Sequence, residues 1–208
     1  MDESIIRKSK EFKLSVTSLT QTPNSMKILQ FTLRTAAALC FAFIMSSASC
    51  SLFDKVEDIT FEAKLPLEFL VNETAVSQNP VTYSKSQTLD AAQNADVAKY
   101  KDKIKEIKVN KITYVISDYS ASGAVVTFTN GLLSVASSGK TIASATTVNL
   151  QSTAEAELTA DTAGFNELAQ LLKADKSETI KLGGTFSKTP VAFKVTAYFH
   201  TTITAGVL

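Results

Sequence analysis

The chain has 208 residues, with one histidine, two cysteines, no tryptophan and a formal net charge of +1 at pH 7. Residues 50–208 have a negative net charge, since fifteen lysines, no arginine and seventeen acidic residues give −2. That region lacks the planar guanidinium fork that reads phosphate and guanine bidentately. Nucleic acid is therefore excluded as an expected partner.

The first 25 residues are polar and charged and show no apolar periodicity. Met26 and Lys27 then open a segment that has the length and order of an export signal. Counted from Met1, the same signal would be much longer than the usual span of about 15 to 30 residues. We therefore expect residues 1–25 to be a mis-assigned N-terminal extension, with translation starting at Met26.

The segment of residues 26–49 predicts a signal peptide. Lys27 and Arg34 supply the positive start, residues 35–45 form the apolar run, and small residues follow. An apolar run of that length is too short to cross a hydrocarbon core of about 30 Å. We expect the segment to direct export and then be removed.

The end of this signal resembles the lipobox of bacterial lipoproteins. Ala48 and Ser49 directly precede Cys50, and Ser47 stands where proteobacterial lipoproteins usually have leucine. The looser pattern is similar to that of Bacteroidota lipoproteins. The resemblance implies that Cys50 is diacylated and becomes the mature N-terminus, so that the chain is attached to a membrane. The alternative is ordinary signal peptidase cleavage after Ala48, with Ser46 and Ala48 as the small pair.

Cysteine placement agrees with that resemblance. Cys40 lies inside the removed segment, so Cys50 would be the one thiol of the mature chain and no internal disulfide is expected. Ser51 follows the cysteine, where aspartate would resemble an inner-membrane retention signal. The resemblance thus implies the outer membrane, facing the periplasm, with the cell surface as the alternative. Residues 50–57 would form a tether.

Residues 59–71 alternate between apolar and mostly polar side chains, which predicts a half-buried strand. Pro66 falls on the polar parity and cannot donate a ladder hydrogen bond, so we expect this strand to lie at a sheet edge or to carry a break. The same period at residues 112–116 and 191–203 predicts two further strands. Asn130 and Gly131 tolerate positive φ angles and predict a type I′ hairpin between residues 125–129 and 132–136.

Further strands are predicted at residues 140–145, 147–150 with 154–158, and 178–186. Residues 161–173 predict a short amphipathic helix behind an Asp161 cap, and residues 94–105 predict a second one. We therefore expect residues 58–208 to form a single immunoglobulin-like β-sandwich domain, mainly β, with seven or eight strands and one or two short helices.

Candidate catalytic residues are few. His200 has the parity opposite to its apolar neighbours, which favours a sheet-surface position, and Glu155 and Glu157 are spaced to share one strand face. A hydrolase would need carboxylates close to His200. The chain has no motif for a phosphate cradle, an EF-hand or a nucleophile elbow. We expect no enzymatic activity, no cofactor and no metal site.

Two surface features remain as binding candidates. Lysines are densest between residues 99 and 111, a pattern typical of a solvated surface that could also meet anionic lipid. Tyr119 and Tyr198 are the aromatic candidates for stacking on a sugar ring. We expect a non-enzymatic structural or protein-interaction module of the envelope, with an envelope protein as possible partner. The alternative is a lipoprotein that binds a glycan or an apolar ligand.

Overall fold

A computed structural model describes residues 57–123 and 125–207. The predicted extension, signal peptide and Cys50 lie outside the described residues. Nine strands are described: β1 (Ile59–Ser77), β2 (Val81–Asp90), β3 (Ile104–Ala121), β4 (Phe128–Val135), β5 (Thr141–Val148), β6 (Ala156–Glu157), β7 (Thr159–Ala160), β8 (Ser177–Phe186) and β9 (Thr189–Ala205). The helices are α1 (Ala95–Tyr100) and α2 (Thr162–Asp175), with 3₁₀ turns at Ala91–Gln93 and Lys101–Lys103.

The strands form two antiparallel sheets, one in the order β1-β9-β3-β6 and the other in the order β2-β8-β4-β5-β7. Their facing sides enclose one apolar core. The predicted mainly β sandwich is confirmed, with nine described strands in place of seven or eight. Strand β2 was not expected, and the residues expected as two strands at 125–129 and 132–136 contribute to the one strand β4. Residues 154–158 were expected as a single strand. There the chain crosses between the sheets at Leu158, so that β6 pairs with β3 and β7 pairs with β5.

The first strand lies at a sheet edge, as Pro66 predicts. The Lys85 ammonium donates a 2.6 Å hydrogen bond to the Leu70 carbonyl from the neighbouring β2, so this carbonyl points to the open edge. Pro66 has the same parity as Leu70, and its ring nitrogen therefore faces that edge too, where no ladder hydrogen bond is lost. Proline and lysine together protect the edge from pairing with another strand.

The predicted hairpin at Asn130 and Gly131 is wrong. Both residues lie inside β4, and the pairing of β4 with β8 shifts register between Thr129 and Leu132. Asn130 has the positive φ of 50° that the turn prediction required. The left-handed residue therefore forms a bulge, which inserts an extra residue against β8 while β4 continues. The chain reverses instead after Val135, where Gly139 has a φ of 73°.

Both predicted helices are present, and the second matches its predicted bounds better than the first. The second one, α2, begins after Asp161, whose carboxylate accepts a 2.8 Å hydrogen bond from the Gly164 backbone, as the cap predicts. The first one is shorter than residues 94–105. It gives way to a 3₁₀ turn, because Ile104 already pairs with Ala205 at the start of β3.

Candidate functional site

The side of the β1-β9-β3-β6 sheet that points away from the other sheet, called the outer face below, carries the candidate site. On this face Lys64 of β1 and Lys111 of β3 are both direct register partners of His200 on the central strand β9. Successive side chains of a strand alternate between the two faces, so the parity that buries Phe199 and Thr201 turns His200 outward. The predicted sheet-surface position of His200 agrees with this placement.

A shallow space of about 510 Å³, called the outer cleft below, opens along this row of side chains. It is lined chiefly by Glu62, Lys64, Asn110, Lys111, His200 and Thr201. A bulge in β3 shifts the register between Val109 and Lys111, so Asn110 and Lys111 are both exposed there. The Asn110 side-chain amide donates to the Thr202 hydroxyl at 2.8 Å. The cleft is therefore polar and positively charged on two of its sides.

Glu155 reaches this row from the segment just before β6. Its carboxylate accepts a 2.5 Å hydrogen bond from the Thr113 hydroxyl and a 3.3 Å one from the Lys64 ammonium. The Thr113 oxygen also lies 3.0 Å from Nε2 of His200. Because the one Thr113 proton goes to Glu155, its oxygen accepts from His200, and Nε2 then carries the imidazole proton. The network fastens the segment before β6 onto the sheet.

Protonation at this network follows its contacts. The hydrogen bond from Thr113, and then the one from Lys64, hold the pKa of Glu155 below its ordinary value. Burial lowers the pKa of His200, and the charges of Lys64 and Lys111 lower it further, against the opposing effect of Glu155. His200 is therefore neutral at pH 7. Its Nε2 lies 3.8 Å from Glu155, a contact that becomes an ion pair only in acid.

The structure brings together only part of what the sequence suggested for catalysis. Glu155 lies beside His200, whereas Glu157 belongs to β6 and pairs through its backbone with Thr113. The hydroxyl between the carboxylate and the imidazole belongs to Thr113, a residue that is only 6% exposed. A nucleophile must meet its substrate. This arrangement therefore suits a structural network better than a catalytic one.

The two aromatic candidates both have structural contacts. The Lys64 ammonium lies 3.9 Å from the ring centre of Tyr198, over the face that a sugar would need. The Tyr119 hydroxyl accepts a 3.2 Å hydrogen bond from the Val126 backbone, and its ring packs on the core. Neither ring is presented as a free stacking platform.

The lysine-rich segment of residues 99–111 is divided among several contacts. Lys105 forms a 2.5 Å ion pair with Asp58, and Lys103 donates to the Val207 carbonyl at 2.9 Å. The Lys99 ammonium lies 4.9 Å from the ring centre of Tyr100. Lys111 is the one lysine of the segment that lines the outer cleft.

The interior is closed. The apolar cavity between the sheets, near Tyr114, Phe128 and Leu158, measures about 30 Å³. Small-molecule sites usually measure roughly 300 to 1,000 Å³, so this cavity is too small for such a ligand. The Tyr83 hydroxyl is buried without a hydrogen-bond partner among the described residues, and burial raises its pKa to about 12.

Two features are absent from the described residues. They contain no group of three or more histidine, cysteine or acidic residues placed to hold a metal ion. None of their helices has the length and apolar character needed to span a bilayer.

Comparison with known proteins gives no family. No family model matches the chain, and no curated protein matches it. A structure of Desmodium yellow mottle tymovirus aligns with 100% of this chain and 98% of its own, at 10% identity and a TM-score of 0.36. A structure of Turnip yellow mosaic virus at 100 K covers 72% of this chain and 96% of its own, at 11% identity and a TM-score of 0.34. Both scores are too low to carry an argument.

Proposed function

We propose that this chain is a lipid-anchored protein of the bacterial cell envelope that acts without catalysis, as an interaction module. The outer face is its contact surface. One observation carries this choice: an open cleft of about 510 Å³ lies on that face and brings side chains from three strands together, while the interior cavity measures about 30 Å³. A second open cleft, of about 550 Å³, lies between β3 and α2. The buried Thr113 hydroxyl argues against a hydrolase, and the occupied rings of Tyr119 and Tyr198 argue against sugar stacking.

The proposed anchor is Cys50, and it rests on the lipobox resemblance. The first strand begins at Ile59, so the proposed tether of residues 50–57 would reach at most about 28 Å when extended. Such a tether would keep the sandwich close to the membrane and concentrate it there with other envelope proteins. We propose the outer membrane as its location, facing the periplasm, with the cell surface as the alternative.

Fatty-acid labelling tests the anchor. We expect the chain expressed in a bacterium with the lipoprotein pathway to incorporate an alkyne fatty acid and to fractionate with membranes. Cys50→Ala should abolish the label completely, because the acyl groups would be attached through this residue. Cys40→Ala is the matched control and should keep full labelling, since Cys40 would be removed with the signal. An unlabelled wild-type chain, or label that survives in Cys50→Ala, would refute the anchor.

Photocrosslinking in intact cells tests the contact surface. A photoreactive residue at Thr202, on the outer face, should give a discrete higher-mass adduct, because a partner seated on this face would lie within reach of the probe. The matched control is Ser86, which is exposed on β2 in the opposite sheet and should give none. Adducts of equal yield from both positions, or from Ser86 alone, would contradict the assignment of the outer face.

A further inference from the structure

We propose that the outer cleft is a binding site for an oxyanion, a phosphate or carboxylate group, which the row Lys64, His200 and Lys111 would hold. This inference rests on the proposed contact surface and deepens it by naming the chemistry of the group bound there. The candidate ligand is the anionic group of a partner molecule in the envelope, recognised by two ammonium groups and an imidazole.

The row itself is the first argument. Lys64 and Lys111 flank His200 as its direct register partners on either side, so three side chains that can carry positive charge lie side by side on one face. When His200 is protonated its charge faces those of both lysines, and like charges opposite each other on neighbouring strands destabilise a sheet. Lys111 forms no ion pair within the described part of the chain. Lys111, which lines the outer cleft, is therefore the ammonium group of the row that can receive its counter-charge from a ligand.

Glu155 is the second argument, because it shows these donors holding a carboxylate. Its Oε1 accepts hydrogen bonds from Lys64 and Thr113 and lies 3.8 Å from His200. The chain thus occupies the Lys64 end of the row with its own acid. The Lys111 end, beside Asn110 at the β3 bulge, opens into the outer cleft.

Charge balance makes the site sensitive to pH. The charged and titratable groups around His200 come from several elements. They are Glu62 and Lys64 of β1, Tyr198 of its own strand β9, Lys111 of β3, and Glu155. With His200 neutral the two lysines and two glutamates cancel, and protonation of the imidazole leaves an excess of one positive charge. Oxyanion affinity should therefore rise as the pH falls through the pKa of His200. By linkage, a bound oxyanion must raise that pKa.

The chain has one histidine, so its imidazole NMR signals report on this site without ambiguity. We would titrate the purified full chain in nonionic detergent at constant ionic strength, in chloride, inorganic phosphate or acetate. We expect phosphate or acetate to raise the pKa of His200 by about 0.5 or more relative to chloride, because an adjacent opposite charge favours the protonated form. A shift in phosphate alone identifies a phosphate site, and one in acetate alone a carboxylate site. No shift in either anion overturns the proposal.

Variants separate the site from general salt effects. Lys111→Gln should raise the pKa of His200 in chloride, since one repelling charge is removed, and should abolish the response to the oxyanion. Lys140→Gln, at an exposed turn lysine, should behave as the wild type does. An oxyanion response that persists in Lys111→Gln overturns the proposal. The labelling of Cys50 and the crosslinks from Thr202 are measured independently of this titration. Failure of this site and failure of the proposed function are therefore distinguishable.

Discussion

Gly164→Ala is expected to lower the free energy of unfolding by about 2 kcal/mol, although alanine is the better helix former. A Cβ at Gly164 would lie 1.9 Å from the backbone oxygen of Thr141 and 2.7 Å from Cα of Ile142. Overpacking of this kind costs about 3 kcal/mol, and the gain in helix propensity offsets about 1 kcal/mol of it.

The clash cannot be relieved cheaply, because both sides of the contact are backbone. The start of α2 is fixed to β5 by a 2.8 Å hydrogen bond from the Asp161 N–H to the Ile142 carbonyl. Moving the helix away would lengthen that bond and lift Phe165 and Leu168 from the core, where both are buried. The loss should therefore appear as a lower midpoint with an unchanged m-value.

Urea unfolding of the full chain measures this effect. Gln170→Ala is the matched control, because Gln170 is exposed on the same helix and its replacement should change stability by no more than about 0.5 kcal/mol. If Gly164→Ala were stabilised by about 1 kcal/mol, helix propensity alone would govern this position, and the close approach of α2 to β5 would be disproved.

Local patterns predicted those elements whose formation depends on local chemistry. The alternation of residues 59–71 gave β1 its buried face, and Pro66 gave its edge position, because a missing donor is tolerated only at an edge. Asp161 marked the start of α2 correctly, since a carboxylate that accepts from Gly164 satisfies a helix N–H wherever the helix packs.

Tertiary pairing decided the features that the sequence missed. Asn130 takes the positive φ that its type favours, but the pairing with β8 makes it a bulge, since an αL residue serves a turn and a bulge equally. The meeting of Glu155 and His200 depends on the path of the segment before β6 across the sheet. Residues 45 positions apart share no local signal. Parity could have predicted the outward position of His200, but its alignment with Lys64 and Lys111 required the register.

The bulge at Asn130 and Gly131 leads to a second expected result: Gly184→Ala should cost about 3 kcal/mol of unfolding free energy. Opposite the bulge the tip of the Phe128 ring lies against Gly184, where a Cβ would meet its Cζ at 2.1 Å and its Cε2 at 2.6 Å. The ring has little space to enter, because the interior cavity that it lines measures only about 30 Å³. Its centre lies 4.8 Å from that of Phe186, and Phe128 is itself buried.

A double-mutant cycle isolates this contact. In a Phe128→Leu background the smaller side chain leaves room for the new methyl, so Gly184→Ala should then cost less than about 1 kcal/mol, a coupling of about 2 kcal/mol between the two positions. Gly183→Ala is the matched control on the same strand. Its Cβ would meet Leu132 at 3.5 Å, an ordinary contact, so the change should stay within about 0.5 kcal/mol. Additive costs in the cycle would mean that Phe128 does not hold Gly184 in place, because two residues that share one volume cannot be changed independently.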